Sequence, residues 1–490
     1  MPSTDWISIT KSEIITAFSI NGSKNIKRIF MKKRIFYFIL LFAVVIGLYI
    51  ILKPKKQSLP NVVIIFTDDQ GYDDLSIYGS ETINTPHLDA LAKSGMRFTD
   101  FHVASSVCTP SRAALLTGCY PDRVGLPNVL FPNGPYRSNP NVGLNPDEET
   151  IAELLKKKGY ATAMAGKWHL GHKQKFLPLQ HGFDSYLGVP YSNDMSKGEL
   201  PLVKDNKVVE VDIDQSLLTK RYTDFGIDFI KSKAGKVPFF LYLAHTMPHI
   251  PLAASINYIG TSKGGLYGDV IEEIDGSVGV IIHELKNQRL LENTLVIFTS
   301  DNGPWLSYGN HGGSAGVLRG GKFDVWEGGF RVPAIMSWPG VIPSESVNNN
   351  LIHTMDILPT LIAITGALLP KNKIDGVNVL SSLRGGEMNE LQKRIFYYFG
   401  GSKIKAVRKG EWKYVFGHNG GIVTEPGIDG INGKTNRVYH EEALYNLISD
   451  ISEQDNLIAQ FPERAARLKK AGEIFELKIK AEARPIGIDQ

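Results

Sequence analysis

Apolar positions along the chain follow two rhythms. Continuous aliphatic runs recur at Asn61–Thr67 (NVVIIFT), Ala161–Ala165, Pro238–Ala244, Leu295–Thr299 and Pro333–Pro339. A run without polar alternation predicts a strand buried on both faces. Between these runs the spacing turns helical: Thr85–Ala92, with Thr as cap and Pro at the first position, Thr150–Gly159, the stretch around Phe225–Ile230, Tyr267–Leu290 and Met355–Gly366. Alternating strand and helix predicts an α/β fold: a large mixed, mostly parallel sheet covered by helices on both faces. After about residue 385 the pattern shortens to Phe396–Phe399, Ile404–Arg408 and Trp412–Phe416, followed by a helix from Pro462 to Lys480. That predicts a small C-terminal α+β domain with a short antiparallel sheet. Tyr186–Asp194, Asn128–Asn145 and Gly417–Asn436 read as loops.

One apolar run is of another kind. Ile35–Leu52 holds eighteen apolar residues, with Lys32, Lys33 and Arg34 before it and Lys53, Lys55 and Lys56 after. Its length suits a membrane span, and no cleavage site of the A-x-A kind is visible. The expected division is a basic tail at 1–34, a signal-anchor or signal peptide at 35–52, a catalytic domain at 57–384 and the small domain at 385–490. The upstream basic excess places the body on the non-cytoplasmic side of a cell envelope, anchored by this segment, or secreted if it is cleaved. Met31 is an alternative start.

Charge confirms how separate this tail is. The net charge is +4, yet residues 1–60 carry ten Lys and Arg against Asp5 and Glu13, leaving 44 basic and 48 acidic residues beyond them. The body is therefore slightly acidic, which argues against a nucleic-acid partner. Two cysteines, Cys108 and Cys119, build no disulfide framework.

The candidate chemistry lies where strands end. Asn61–Thr67 runs into Asp68-Asp69, and Leu295–Thr299 into Ser300-Asp301-Asn302. Adjacent carboxylates at a buried strand end repel one another unless a cation lies between them, and oxygen donors suit a hard ion such as Ca²⁺ or Mg²⁺. Cys108 opens a helix with Pro110 in its first turn and Arg112 one turn on, an anion-binding corner around a thiol. Lys167 and His169, in extended geometry, project to one side of a strand end flanked by Gly166 and Gly171.

These segments, C-T-P-S-R with A-A-L-L-T-G after it, G-K-W-H-L-G at Gly166–Gly171, H-T-M-P-H at His245–His249, and L-R-G-G-K-F-D-V-W-E-G-G-F-R-V-P at Leu318–Pro333, closely resemble the motifs of the Cys-type sulfatases. The resemblance implies the alkaline-phosphatase-like fold and hydrolysis of sulfate monoesters, either aryl sulfates or sulfated carbohydrates. It implies that a formylglycine-generating enzyme oxidises Cys108, that Asp68, Asp69, Cys108, Asp301 and Asn302 hold the metal, and that Lys167, His249, Lys322 and Ser192 bind substrate. Asn193 and Asp194 compete with Ser192 for its place. His245 reads as structural, and Arg319, Glu327 and Arg331 as residues that hold their loop together.

The implied mechanism is in-line attack on sulfur by the hydrated formylglycine, its alkoxide stabilised by the metal and Arg112, with Asp301 accepting the proton. Lys322 or His249 protonates the leaving oxygen, and His169 takes the proton from the second hydroxyl. The alternatives are a phosphonate or phosphate ester hydrolase of the same superfamily, a non-catalytic binder of sulfated glycans with Cys108 unmodified, and a structural envelope protein. The alcohol half of the substrate has no readable code.

Overall fold

The computed structural model describes residues 28–45, 59–132, 141–196 and 199–489, in two compact units, Met1–Ser58 and Leu59–Gln490. In the first unit residues 28–45 form a helix that includes Arg28, Lys32, Lys33 and Arg34. Its apolar part is residues 35–45, about 16 Å of helix against the roughly 30 Å of a bilayer core. The rest of the expected span lies outside the described residues. No helix among the described residues is long and apolar enough to cross a membrane. The expected membrane-anchored placement at a cell envelope is thereby overturned.

The second unit is built on a ten-stranded sheet. Its strands are β1 (Asn61–Thr67), β2 (Met96–Phe98), β3 (Ala161–Gly166), β4 (Ser185–Gly188), β5 (Leu202–Lys204), β6 (Lys207–Glu210), β7 (Phe239–Ala244), β8 (Thr294–Ser300), β9 (Ala334–Ser337) and β10 (Ser346–Asn348). They lie in the order β10-β2-β9-β8-β1-β7-β3-β4-β5-β6. The five central strands, β8-β1-β7-β3-β4, are all parallel. Antiparallel pairing is confined to the flanks. Part of the stretch expected as a loop at Tyr186–Asp194 is therefore a strand, β4.

β1 shows why its run has no polar alternation. Val62, Ile64 and Phe66 enter one core, while Val63 and Ile65 enter the other. Helices α1 (Pro86–Lys93), α4 (Leu218–Lys233) and α5 (Gly265–Asn287) cover the second face; α2 (Cys108–Thr117), α3 (Ile151–Lys157) and α6 (Ile357–Thr365) cover the first. Thr150 starts α3 with a reciprocal capping box to Glu153.

The C-terminal part adds a four-stranded antiparallel sheet, and α7 (Pro462–Ala481) packs across it. The sheet contains β11 (Ile395–Gly400), β12 (Lys403–Lys409), β13 (Trp412–Val415) and a strand at Ala443–Asn446. Between the last two, the expected loop at Gly417–Asn436 is instead the larger part of a long hairpin, with His418–Glu425 paired to Lys434–His440.

Candidate active site

Parallel central strands bring their carboxyl ends to one edge of the sheet, where ligands of open α/β folds bind. β1 delivers Asp68 and Asp69 there, β8 delivers Asp301 and Asn302, and β3 delivers Lys167. The approach is close because Gly166, at φ +114°, has no side chain: a Cβ would lie 1.7 Å from the Ala244 carbonyl oxygen of β7. Asp69 itself adopts φ 64°, which turns its carboxylate back beside that of Asp68.

α2 starts at this edge, with Cys108 in its first turn and the sulfur 3.4 Å from Asp68 Oδ1. Arg112 and the sulfur share Asp68 Oδ1 as a neighbour. Arg112 donates from Nε to Asp301 Oδ2 and from NH1 to the Lys167 carbonyl, both at 2.9 Å. Its NH2 makes ion-pair approaches of 2.9 Å to Asp301 Oδ2 and 3.5 Å to Asp68 Oδ1. Burial and the Asp68 charge push the Cys108 thiol well up, so the thiolate expected from helix terminus and arginine is opposed here.

The two lysines divide the aspartate pair. Lys167 Nζ reaches Asp68 Oδ2 and Ser192 Oγ (3.0 Å); Lys322 Nζ donates to Asp69 Oδ2 at 2.7 Å. His249 Nε2 stands 3.3 Å from Ser192 Oγ and 3.5 Å from Asp69 Oδ2. Of the three residues weighed in that loop, Ser192 lies in the cluster. Asn193 instead bonds Gln215 and the carbonyls of His249 and Pro251, and Asp194 is exposed.

His169 departs from the extended geometry expected of it. Its φ is 61°, and its ring Nε2 bonds the Leu130 carbonyl at 2.9 Å. A carbonyl only accepts, so the proton sits on Nε2 and Nδ1 carries a buried, unpartnered lone pair. By the same logic His249 Nδ1, 2.6 Å from the Ile250 carbonyl, holds the proton of that ring. Burial, reinforced by Lys167 for His169 and by Lys322 for His249, keeps both rings toward the neutral form.

The donor set fits a hard cation. Oxygens of Asp68 and Asp69, Cys108 Sγ and a nitrogen of His249 converge within 4.8 Å. Asn302 Nδ2 bonds Asp69 Oδ1 at 2.7 Å, while its Oδ1 is buried without a partner. Burial and the neighbouring Asp68 push Asp301 up to about 7, a repulsion that a divalent ion relieves.

A second buried charge cluster fixes the loop that carries Lys322. Glu327 meets His102 Nε2 (3.0 Å), Lys413 (3.0 Å), Arg408 (3.1 Å) and the Tyr398 hydroxyl (2.6 Å). Glu453 accepts from the Glu327 amide and pairs with Lys413, and Arg331 donates to the Thr99 carbonyl. Arg319 donates to the Glu453 carbonyl and stacks 3.6 Å over Trp326. All three loop residues thus hold structure. His245 is likewise structural, buried beside Ser277, with burial bringing it down to about 3.

Aromatic residues at the site drew no notice from the sequence: Trp305 lies 4.2 Å under Lys322 Nζ and 5.5 Å from the His249 ring. Their only signal was position, Trp305 three residues beyond Asn302 and Phe323 next to Lys322.

A carboxylate-tipped parallel sheet, a helix N-terminus and paired lysines define a hydrolase of anionic esters. The Sulfatase family profile matches residues 60–367, and the chain belongs to the sulfatase family, enzymes that hydrolyse sulfate esters. Two further profiles, "N-sulphoglucosamine sulphohydrolase, C-terminal" and "C-terminal region of aryl-sulfatase", match residues 321–414 and 391–484. The N-acetylgalactosamine-6-sulfatase of Canis lupus familiaris is 40% identical over 73% of this chain and 72% of its own length. Arylsulfatase A of Bos taurus is 38% identical over 86% and 87%. The crystal structure of a sulfatase from Pseudoalteromonas sp. superposes with a TM-score of 0.76 at 27% identity, covering 91% of this chain and 95% of that one. Another, of Ps i-CgsB in complex with a neocarrahexaose, gives 0.71 at 29% identity, covering 86% and 93%.

Proposed function

We propose that this sulfatase removes sulfate from a sulfated carbohydrate, with position 108, as formylglycine, supplying the nucleophile. The observation that carries this is the convergence of Cys108 with Asp68, Asp69, Asp301 and Asn302 on one side and Lys167, Lys322 and His249 on the other. Ca²⁺, or Mg²⁺, held by Asp68, Asp69, Asp301, Asn302 and position 108, supplies positive charge to the nucleophilic oxygen and the sulfate. The aldehyde, made by a formylglycine-generating enzyme, supplies as its hydrate a second hydroxyl through which the sulfated enzyme is released.

The chain's own residues divide the remaining work. Lys167 and Lys322 bind sulfate oxygens and hold transition-state charge, and a cation held by the aspartates would free them for it. Arg112 neutralises the carboxylates beneath the nucleophile, and Asp301 accepts its proton. Lys322 protonates the leaving oxygen: neutral His249 has its proton on Nδ1, pointed at Ile250, so its Nε2 accepts from Ser192. His169 takes the last proton on its free Nδ1. A sugar is favoured by the sulfated-carbohydrate chemistry in the names of relatives such as the N-acetylgalactosamine-6-sulfatases.

Mass spectrometry of the peptide carrying position 108, from protein made beside a formylglycine-generating activity, tests the nucleophile. An aldehyde together with release of sulfate from a sulfated monosaccharide is the expected result. A free thiol in protein that still releases sulfate overturns it.

A further inference from the structure

Three aromatic side chains, Trp305, Tyr308 and Phe323, cluster beside Lys322 and His249. Trp305 packs edge-to-face on Tyr308 (ring centroids 4.7 Å apart) and on Phe323 (5.5 Å), and its ring lies under Lys322. Phe323 is 59% exposed and held at φ 72°, a backbone state that bulky residues avoid, while its amide bonds the Ser106 carbonyl. An apolar ring strained into solvent beside an anion-binding lysine is poor for folding and useful for binding.

The wall is braced from behind. The segment Leu306–His311 meets the tip of the C-terminal hairpin, where Gly427 and Gly433 amides both bond the Ser307 carbonyl, at 2.9 and 2.8 Å. Contact is so close that a Cβ on Gly309 would lie 1.9 Å from the Gly427 carbonyl oxygen. Asn310 and Asp429 exchange two bonds at 2.9 Å. The rim is polar. Asn310 and Asp429 are exposed beside the wall.

From this we infer that Trp305, Tyr308 and Phe323 form a subsite for the ring of a pyranose whose sulfate occupies the lysine site. The C–H face of the sugar stacks on the aromatics while its hydroxyls meet the polar rim, a match for a ring with an apolar face and hydrogen-bonding edges. The assignment rests on the proposed sulfate-ester chemistry of the site and names the substrate class for it.

The test compares kcat/KM of the wild type with Trp305→Ala, Trp305→Tyr and Phe323→Ala on methyl galactopyranoside 6-sulfate, 4-nitrophenyl sulfate and ethyl sulfate. Expected is a loss on the pyranoside about tenfold greater than on ethyl sulfate in both alanine variants, with recovery in Trp305→Tyr. Equal losses on the pyranoside and ethyl sulfate, or the greatest loss on 4-nitrophenyl sulfate, overturn the pyranose subsite. Exposed Phe323 decides the matter if Trp305→Ala fails to fold. A wild type that cleaves none of the three overturns the proposed function instead.

Discussion

Lys167 and Lys322 grip the two members of one aspartate pair, and a divalent cation held by those carboxylates would compete for them and leave both ammonium groups to an incoming anion. Replacing either lysine with Ala should therefore lower kcat/KM on a sulfate ester by about 100-fold or more, measured by sulfate release. Wild-type kinetics in either variant would remove it from the site. Metal removal follows from the unpartnered Asn302 Oδ1. Chelation should abolish activity and lower the melting temperature, Ca²⁺ should restore both, and Asn302→Ala should need more Ca²⁺ for the same recovery.

Whole elements carry these residues, and small changes within them act at a distance. Gly166→Ala drives a Cβ into the Ala244 carbonyl at the end of β3 and should displace Lys167; loss of soluble protein, or of activity with the fold retained by circular dichroism, is the expected outcome. Lys413→Met leaves Glu327 and Glu453 buried without their shared cation and should cost about 3–5 kcal/mol, read from urea unfolding. The strands and their carboxylate tips were legible because unbroken apolar runs ending in Asp-Asp or Asp-Asn allow few alternatives. His169 was misjudged because one residue at positive φ cancels the period of two from which its direction was read. The hairpin at 418–440 was missed because its largely exposed strands, one with Gly420 and Gly421 and the other mostly polar, carry no apolar alternation. Trp305 and Phe323 stayed silent because an exposed aromatic acquires meaning only from its neighbours. The expected span at Ile35–Leu52 rested on eighteen apolar letters, of which the described helix holds residues 35–45, too few to cross a membrane.

At the scale of the molecule, acid sensitivity is built into buried histidines. Burial pushes His181 down to about 4 and His245 and His353 to about 3. Unfolded, each titrates near about 6.5. Their stabilisation is therefore complete above that pH and is lost as pH falls toward the folded values, at about 1.4 kcal/mol per pH unit for each. Urea midpoints should drop between pH 7 and pH 5, and His181→Gln should flatten the slope.

The register of the central strand also has a consequence in time. β1 pairs Asn61 with Thr294 on one side and Val62 with Phe240 on the other. β1 is thus made before every other described strand of the sheet, while its partners, Phe239–Ala244 and Thr294–Ser300, come much later. At typical synthesis rates of about 5–20 residues per second, it waits roughly 9 to 35 seconds before the first of them is made. During that interval a largely apolar strand is a template for foreign strands, so the yield of native enzyme depends on what shields it until its partners have been made.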